Sequence, residues 1–290
     1  MTVLRSAFIT TCMVITALTS AHAETILEAI GGIERDLVAR VGFYMHDMQT
    51  GEIITYAGAD RFPLNSTFKV LACGALLAKA DAGETNLDAT VPLQDFEIVS
   101  YSPAVEAYIG AGHQEISFDE ACRMALSVSD NTAANIVLSE IGGPDGLTTF
   151  LRSIGDQVTR LDRWETALNE ARPGDPRDTT TPQAMARSLE KLILGDALSA
   201  TSRSTLRDWL SAHSVADDLF RAALPPGWSI DDRTGAGGYG SRSIVAVLYP
   251  PGREPITVAL FITETDASFS HRNAAVFRVG AAIVAKVGNE

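Results

Sequence analysis

The stretch that most limits how this chain can fold is residues 61–80, RFPLNSTFKVLACGALLAKA. Pro63 fixes φ just ahead of the run, and Asn65 and Ser66 are good helix-start residues. From Phe68 to Ala78 nearly every side chain is apolar, and a helix apolar on all sides has to be buried. Its first turn nevertheless carries Ser66 and Lys69, stacked on one face by their i,i+3 spacing. An ammonium drawn into the interior loses hydration, so its pKa falls and the neutral amine becomes accessible. Such an amine beside a hydroxyl is a nucleophile with its base.

S-x-x-K occurs a second time, at Ser188-Leu189-Glu190-Lys191 within QAMARSLEKLILG. Charged and apolar residues alternate there at helical spacing, which predicts that Ser188 and Lys191 face water. Distant parts of the chain have to decide between the two matches.

Residues 1–23 have the pattern of a secretory leader: Arg5, a mostly apolar core from Ala7 to Leu18, then Ala21-His22-Ala23 as an A-x-A cleavage site. The mature chain is expected to begin near Glu24. The apolar core is too short to span a bilayer comfortably, and no later segment reads as a span. Cleavage removes Arg5 and Cys12, leaving 36 acidic residues against 22 basic ones, with Cys73 and Cys122. That acidity argues against nucleic acid or an anionic membrane as partner, while arginines focused locally can still hold a small anion. Two cysteines in an exported chain are candidates to pair. The five histidines are scattered without metal-ligand spacing, so no metal or other cofactor is expected.

In chain order, residues 24–40 have helical spacing, and VGFYMHD with IITYAG read as a hairpin. IVSYS at 98–102 reads as a strand. Ser117 to Glu120 is a capping box, and the helix after Ser129-Asp130-Asn131 ends in a glycine pair. From Leu161 to Thr181, proline, glycine and many charges exclude a regular element, and Trp164 and Leu168 suggest a packed Ω-type loop. Thr181-Pro182 starts a further helix, and others lie near 183–194 and 200–213. Three strands follow, in SIDDRTGAGGYG, SIVAVLYP and ITVALFITET, then a helix over about 271–287. The expected fold is α+β. A five-stranded antiparallel sheet is built from both chain ends, about 24–60 and 214–290, beside an all-helical lobe over about 61–213.

Three polar clusters could serve Ser66. Ser129 and Asn131 offer a hydroxyl and an amide, or a plain helix cap. Glu165 with Asn169 could activate and hold a water, or join a loop salt bridge with Arg163 and Asp178. Arg233 and Thr234 open a glycine-rich run, Gly235 to Gly240, that lets a ligand approach the backbone, or else makes a flexible hairpin. Arg242 adds a second guanidinium.

Taken together, STFK, SDN, RWETALN and RTGAGGYGSR, in this order and spacing, resemble a class A serine β-lactamase, whose motif set is S-x-x-K, S-D-N and K-T-G. The resemblance implies that Ser66 attacks the lactam carbonyl, with an oxyanion hole formed by the N–H groups of Ser66 and Ala236. Lys69, or Glu165 through a water, would take the Ser66 proton. Ser129 would pass a proton to the leaving nitrogen, and Asn131 would bind the acylamino side chain. Glu165 and Asn169 would hold the hydrolytic water, and Arg233, Thr234, Gly235 and Arg242 would bind the substrate carboxylate side. It further implies an Arg163–Asp178 clamp, a Cys73–Cys122 disulfide, no cofactor, and a monomer in the bacterial periplasm acting on penicillin-type antibiotics. The alternatives are a penicillin-binding DD-peptidase, which lacks the deacylating carboxylate, and a non-catalytic β-lactam sensor, which needs a membrane tether.

Two departures stand out. Arg233 replaces the family's usual Lys, and DRTGAGGYG looks like the carbenicillin-hydrolysing members. Charge on a carboxylate survives that exchange, but a proton acceptor cannot be Arg. Only four of the 23 basic residues are lysine, yet position 69 keeps one. Thr166 stands where proline commonly follows the loop glutamate, an exchange expected to loosen the loop.

Overall fold

The computed structural model describes residues 24–212 and 215–288, so the leader and the junction at 213–214 between the expected lobes lie outside it. The elements in chain order are α1 (Ile26–Leu37), β1 (Arg40–Asp47), β2 (Ile53–Tyr56), β3 (Phe62–Pro63), α2 (Phe68–Asp81), β4 (Thr90–Pro92), α3 (Pro103–Gly110), β5 (Glu115–Ser117), α4 (Phe118–Ser127), α5 (Asn131–Glu140) and α6 (Gly143–Ser153). They continue with β6 (Thr179–Thr180), α7 (Pro182–Ile193), α8 (Ala200–Ser211), β7 (Ser229–Ala236), β8 (Arg242–Tyr249), β9 (Ile256–Thr263) and α9 (Phe269–Gly288).

The five-stranded antiparallel sheet has the order β2-β1-β9-β8-β7, so the chain's two ends interleave and β7 is an edge. Successive side chains of a strand point to opposite faces. In β9, Ile256, Val258, Leu260 and Ile262 pack under α1 and α9, while Ala259 and Phe261 join the core of the helical side. In β8, Ile244, Ala246 and Leu248 face the first core and Val245 and Val247 the second. Both faces are covered, which is why these strands read as unbroken apolar runs.

α2 is the axis of the helical side. Every residue from Phe68 to Leu77 is buried, and Cys73 is disulfide-bonded to Cys122 of α4, their Cα atoms 5.8 Å apart. Ser66 lies in a short 3-10 turn, Asn65–Thr67, that leads into α2.

The structure corrects the sequence reading at three places. IVSYS is no strand: Val99 N–H donates to Thr132 Oγ1 (3.0 Å), and Tyr101 O accepts from Asn131 N–H (3.1 Å). The segment spends its backbone groups on the start of α5 rather than on a ladder, and α3 begins at Pro103 directly after it. The glycine pair after α5 is not only an ending. Gly142 and Gly143, at φ 89 and 72, turn the chain straight into α6. Finally, Ser188 does not face water. It is 2% exposed on the inner side of α7, with Met185, Leu189 and Leu192. Its hydroxyl donates to Asp156 Oδ2 at 2.8 Å.

Candidate active site

The sheet edge β7, the start of α2, the turn before α5 and the 161–181 loop converge on a cleft of ≈ 440 Å³. Ser66, Ser129, Asn131, Asn169, Thr234, Gly235, Ala236 and Arg242 line it, along with Tyr101 and Phe269. Lys69, Glu165 and Arg233 lie behind its wall.

Lys69 is 1% exposed. Its ammonium donates to Ser129 O (2.8 Å) and Asn131 Oδ1 (2.6 Å) and lies 3.4 Å from Ser129 Oγ. Glu165 Oε1 is 3.2 Å away. Burial pushes the ammonium down to about 8, against the pull of the Glu165 carboxylate in the other direction. A fully enclosed amine near neutrality, joined to both elements of the S-D-N turn and to the loop acid, can take or return a proton.

The turn itself is held from below. Ser129 adopts φ 67. Asp130 Oδ1 accepts from Ala133 N–H (2.9 Å), capping α5, while Oδ2 accepts from the N–H groups of Ala104 and Val105 (2.9 and 3.0 Å), capping α3. One carboxylate thus joins two helices. The α5 cap was readable from the sequence, but the α3 contact was not, because the partner is 25 residues away.

Glu165 is 4% exposed, and its own peptide groups are pinned. Glu165 N–H donates to Asn135 Oδ1 and its carbonyl accepts from Asn135 Nδ2, both at 3.0 Å. Asn135 lies one turn after Asn131 on α5, so one face of that helix addresses both cleft and loop. The two Asn135 bonds tie the residue before Thr166 to α5. Sequence reading missed Asn135; its one signal was its spacing from Asn131. Asn169 donates from Nδ2 to Glu165 Oε2 (2.5 Å), and its Oδ1 accepts from Asn65 Nδ2 (3.4 Å).

Arg163 Nε meets Asp178 Oδ2 at 2.5 Å, while Asp178 Oδ1 accepts from the N–H groups of Asp162 and Arg163 (2.8 and 2.9 Å). Asp178 O accepts from Leu64 N–H (2.9 Å), so the closed loop is tied to the segment bearing Ser66.

The glycine-rich run closes over this loop. Gly238 N–H donates to Asn169 O at 2.9 Å. A Cβ on Gly238 would stand 2.2 Å from Glu170 O, and one on Gly237 would stand 2.1 Å from Asn65 Nδ2. Gly238→Ala is expected to lower unfolding free energy by about 2 kcal/mol, since the backbone must retreat from a carbonyl. It should also slow penicillin hydrolysis, because Asn169 moves with the loop. Urea unfolding with an unchanged midpoint would contradict this packing.

Arg233 is 0% exposed; Nη1 donates to Leu126 O (3.3 Å), and Nε and Nη2 have no partner among the described residues. It is not part of the cleft surface. Arg242 reaches the surface, donating from Nη1 to Gly235 O (3.1 Å) and from Nε to Asn273 Oδ1 (2.8 Å), its guanidinium 4.9 Å from the Phe269 ring centroid. Burial pushes both guanidinium groups down to about 10, which leaves both charged at neutral pH. Asn273 and Phe269 were not foreseen, as α9 carries no motif. Among the described residues, no group of three His, Cys, Asp or Glu could hold a metal ion, and no helix is long and apolar enough to cross a membrane.

A hydroxyl at a helix start, a buried amine and a buried carboxylate, set between an antiparallel sheet and a helical lobe, define a serine acyl-transfer hydrolase. A family model described as "Beta-lactamase enzyme family" matches residues 23–287, and the chain belongs to that family. Beta-lactamase AER-1 of Aeromonas hydrophila is 49% identical over 255 residues, covering 88% of this chain and 83% of that one. Beta-lactamase CARB-3 of Pseudomonas aeruginosa is 46% identical over 264 residues, covering 91% of each. The crystal structure of the chromosome-encoded beta-lactamase of Vibrio parahaemolyticus superposes with a TM-score of 0.88 at 44% identity, over 92% of this chain and all of that one. An ancestral class A beta-lactamase does so with a TM-score of 0.85 at 46% identity, over 90% of this chain and 100% of that one.

Proposed function

We propose that this β-lactamase hydrolyses penicillin-type β-lactams through an acyl-enzyme on Ser66, which water activated by Glu165 then releases, and so confers resistance. The observation that carries the reading is Glu165, enclosed 3.2 Å from Lys69 and hydrogen-bonded to Asn169 on the cleft wall. A penicillin-binding peptidase or a sensor would have no use for that acid. The N–H groups of Ser66 and Ala236 form the oxyanion hole, the second of them on an edge strand whose outer backbone groups are open to a ligand. Ser129, in contact with the Lys69 amine, returns a proton to the lactam nitrogen. Asn131 presents its amide to the acylamino group.

Thr234, Gly235 and Arg242 receive the substrate carboxylate at the cleft surface. Arg233 acts from behind, as an enclosed positive charge that needs no direct contact. The cleft lies between the sheet and the helical side, and the leader pattern with the disulfide supports a periplasmic enzyme. The test is a hydrolysis panel on the purified mature enzyme that includes carbenicillin and benzylpenicillin. Turnover of neither would refute the reading.

Which group takes the Ser66 proton is decided by pH. Glu165 raises the Lys69 pKa, so Glu165→Gln should move it below about 8. If neutral Lys69 is the base, stopped-flow acylation of Glu165→Gln rises with pH through a single ionisation below about 8 and then levels. A rate that stays flat from about pH 4 to 9 would exclude Lys69.

A further inference from the structure

The second S-x-x-K is not a spare catalytic dyad. The Ser188 hydroxyl donates its hydrogen bond to Asp156, and Lys191 Nζ is spent in part on the carbonyl of Ile154. Both residues nevertheless line a cavity of ≈ 600 Å³, larger than the β-lactam cleft, with Arg61 and Arg187 on its wall.

The charges of this acidic chain explain why that cavity matters. Most arginines of the described residues end on a carboxylate, as in Arg123–Asp119, Arg207–Asp231, Arg221–Asp232 and Arg278–Glu24. Among the described residues, Arg35, Arg152 and Arg203 have no carboxylate within 4.0 Å and line neither the cleft nor this cavity; the other such cations fall into two groups. Arg233, Arg242 and Arg272 gather at the cleft, where a substrate anion supplies the missing charge. Arg61, Arg187 and Lys191 gather at this second cavity. The carboxylate on its wall, Asp156, is already engaged: Oδ1 accepts from the N–H groups of Val158 and Thr159, both at 2.9 Å, and Oδ2 from Ser188. It is 8% exposed on the cavity wall, and one carboxylate offsets at most one of the three cations. Arg61 uses Nη1 on Val158 O and Thr179 Oγ1 (3.1 and 3.0 Å), which holds its guanidinium at the rim.

From this juxtaposition we infer that the cavity between α7 and the 154–158 turn is a second anion site, built for a small oxyanion carrying two or more negative charges. Such an ion would meet one lysine and two arginines across a concave wall, the arrangement that suits phosphate-like and polycarboxylate ligands. The site is separate from the cleft and independent of the β-lactam chemistry.

Inorganic pyrophosphate is the probe, titrated calorimetrically into the purified mature enzyme in a low-salt chloride buffer. One saturable site is expected. The double variant Arg187→Gln/Lys191→Gln should bind at least about ten-fold more weakly, the loss of two charge-assisted contacts. Its penicillin hydrolysis should match the unmodified enzyme, since neither residue touches the cleft. Arg61 is left in place because it holds the loop. Because the cleft also attracts anions, the titration is repeated on Arg242→Gln, where binding should persist. Equal affinity in the double variant, loss of binding in Arg242→Gln, or no saturable binding in the unmodified enzyme would each overturn the assignment.

Discussion

Replacing Glu165 by alanine stops the reaction at the acyl-enzyme. Intact-protein mass spectrometry of Glu165→Ala mixed with benzylpenicillin should show the protein plus one drug, persisting long after the unmodified enzyme has returned to its free mass. Loss of a positioned general base predicts deacylation slower by roughly 10³. The fold should survive, because Glu165's peptide groups, not its carboxylate, carry the bonds to Asn135. The side chain's losses are its contacts to Asn169 and Lys69. Without its carboxylate partner the Lys69 amine becomes easier to deprotonate, so formation of the adduct should remain possible. Rapid turnover by Glu165→Ala would mean that some other group activates the water, and the proposed release step would be wrong.

The larger loss is expected at Ser66. Ser66→Ala should form no adduct at all and hydrolyse penicillins slower by on the order of 10⁴ or more, as for removal of a covalent nucleophile. Ser188→Ala is its control. That change leaves Asp156 with two backbone donors and removes one, so it should cost about 1 kcal/mol of stability and leave hydrolysis intact. Adduct formation on Ser66→Ala, or loss of activity in Ser188→Ala, would reverse the choice between the two motifs.

Local rules explain what could be read in advance. The starts of α4 and α7 follow from Ser117 and Thr181, each of which accepts from an N–H three residues on. The sheet followed from short apolar strand runs at both chain ends, separated by turn residues. The cleft residues were readable because four short motifs keep their spacing. What escaped was non-local or context-bound. IVSYS alternates like a strand but has no ladder to join. α3 and α6 are short and open with proline or glycine pairs. Asn135, Asn65 and Asn273 are ordinary amides until another element arrives beside them. Ser188 sits where the alternation predicted water, yet a buried aspartate from a different segment supplies a polar partner inside.

By itself the order of residues determined that α2 is central, that a serine stands three residues before the lysine of its first turn, and that the chain's ends make one sheet. These depend on spacing and apolar pattern, which are written locally. Only the tertiary structure decided that Arg233 stands behind the cleft while Arg242 reaches into it, and that Arg61, Arg187 and Lys191 come together at a second hollow. Burial and charge pairing depend on which distant segments come to rest against each other, and no stretch of sequence carries that alone.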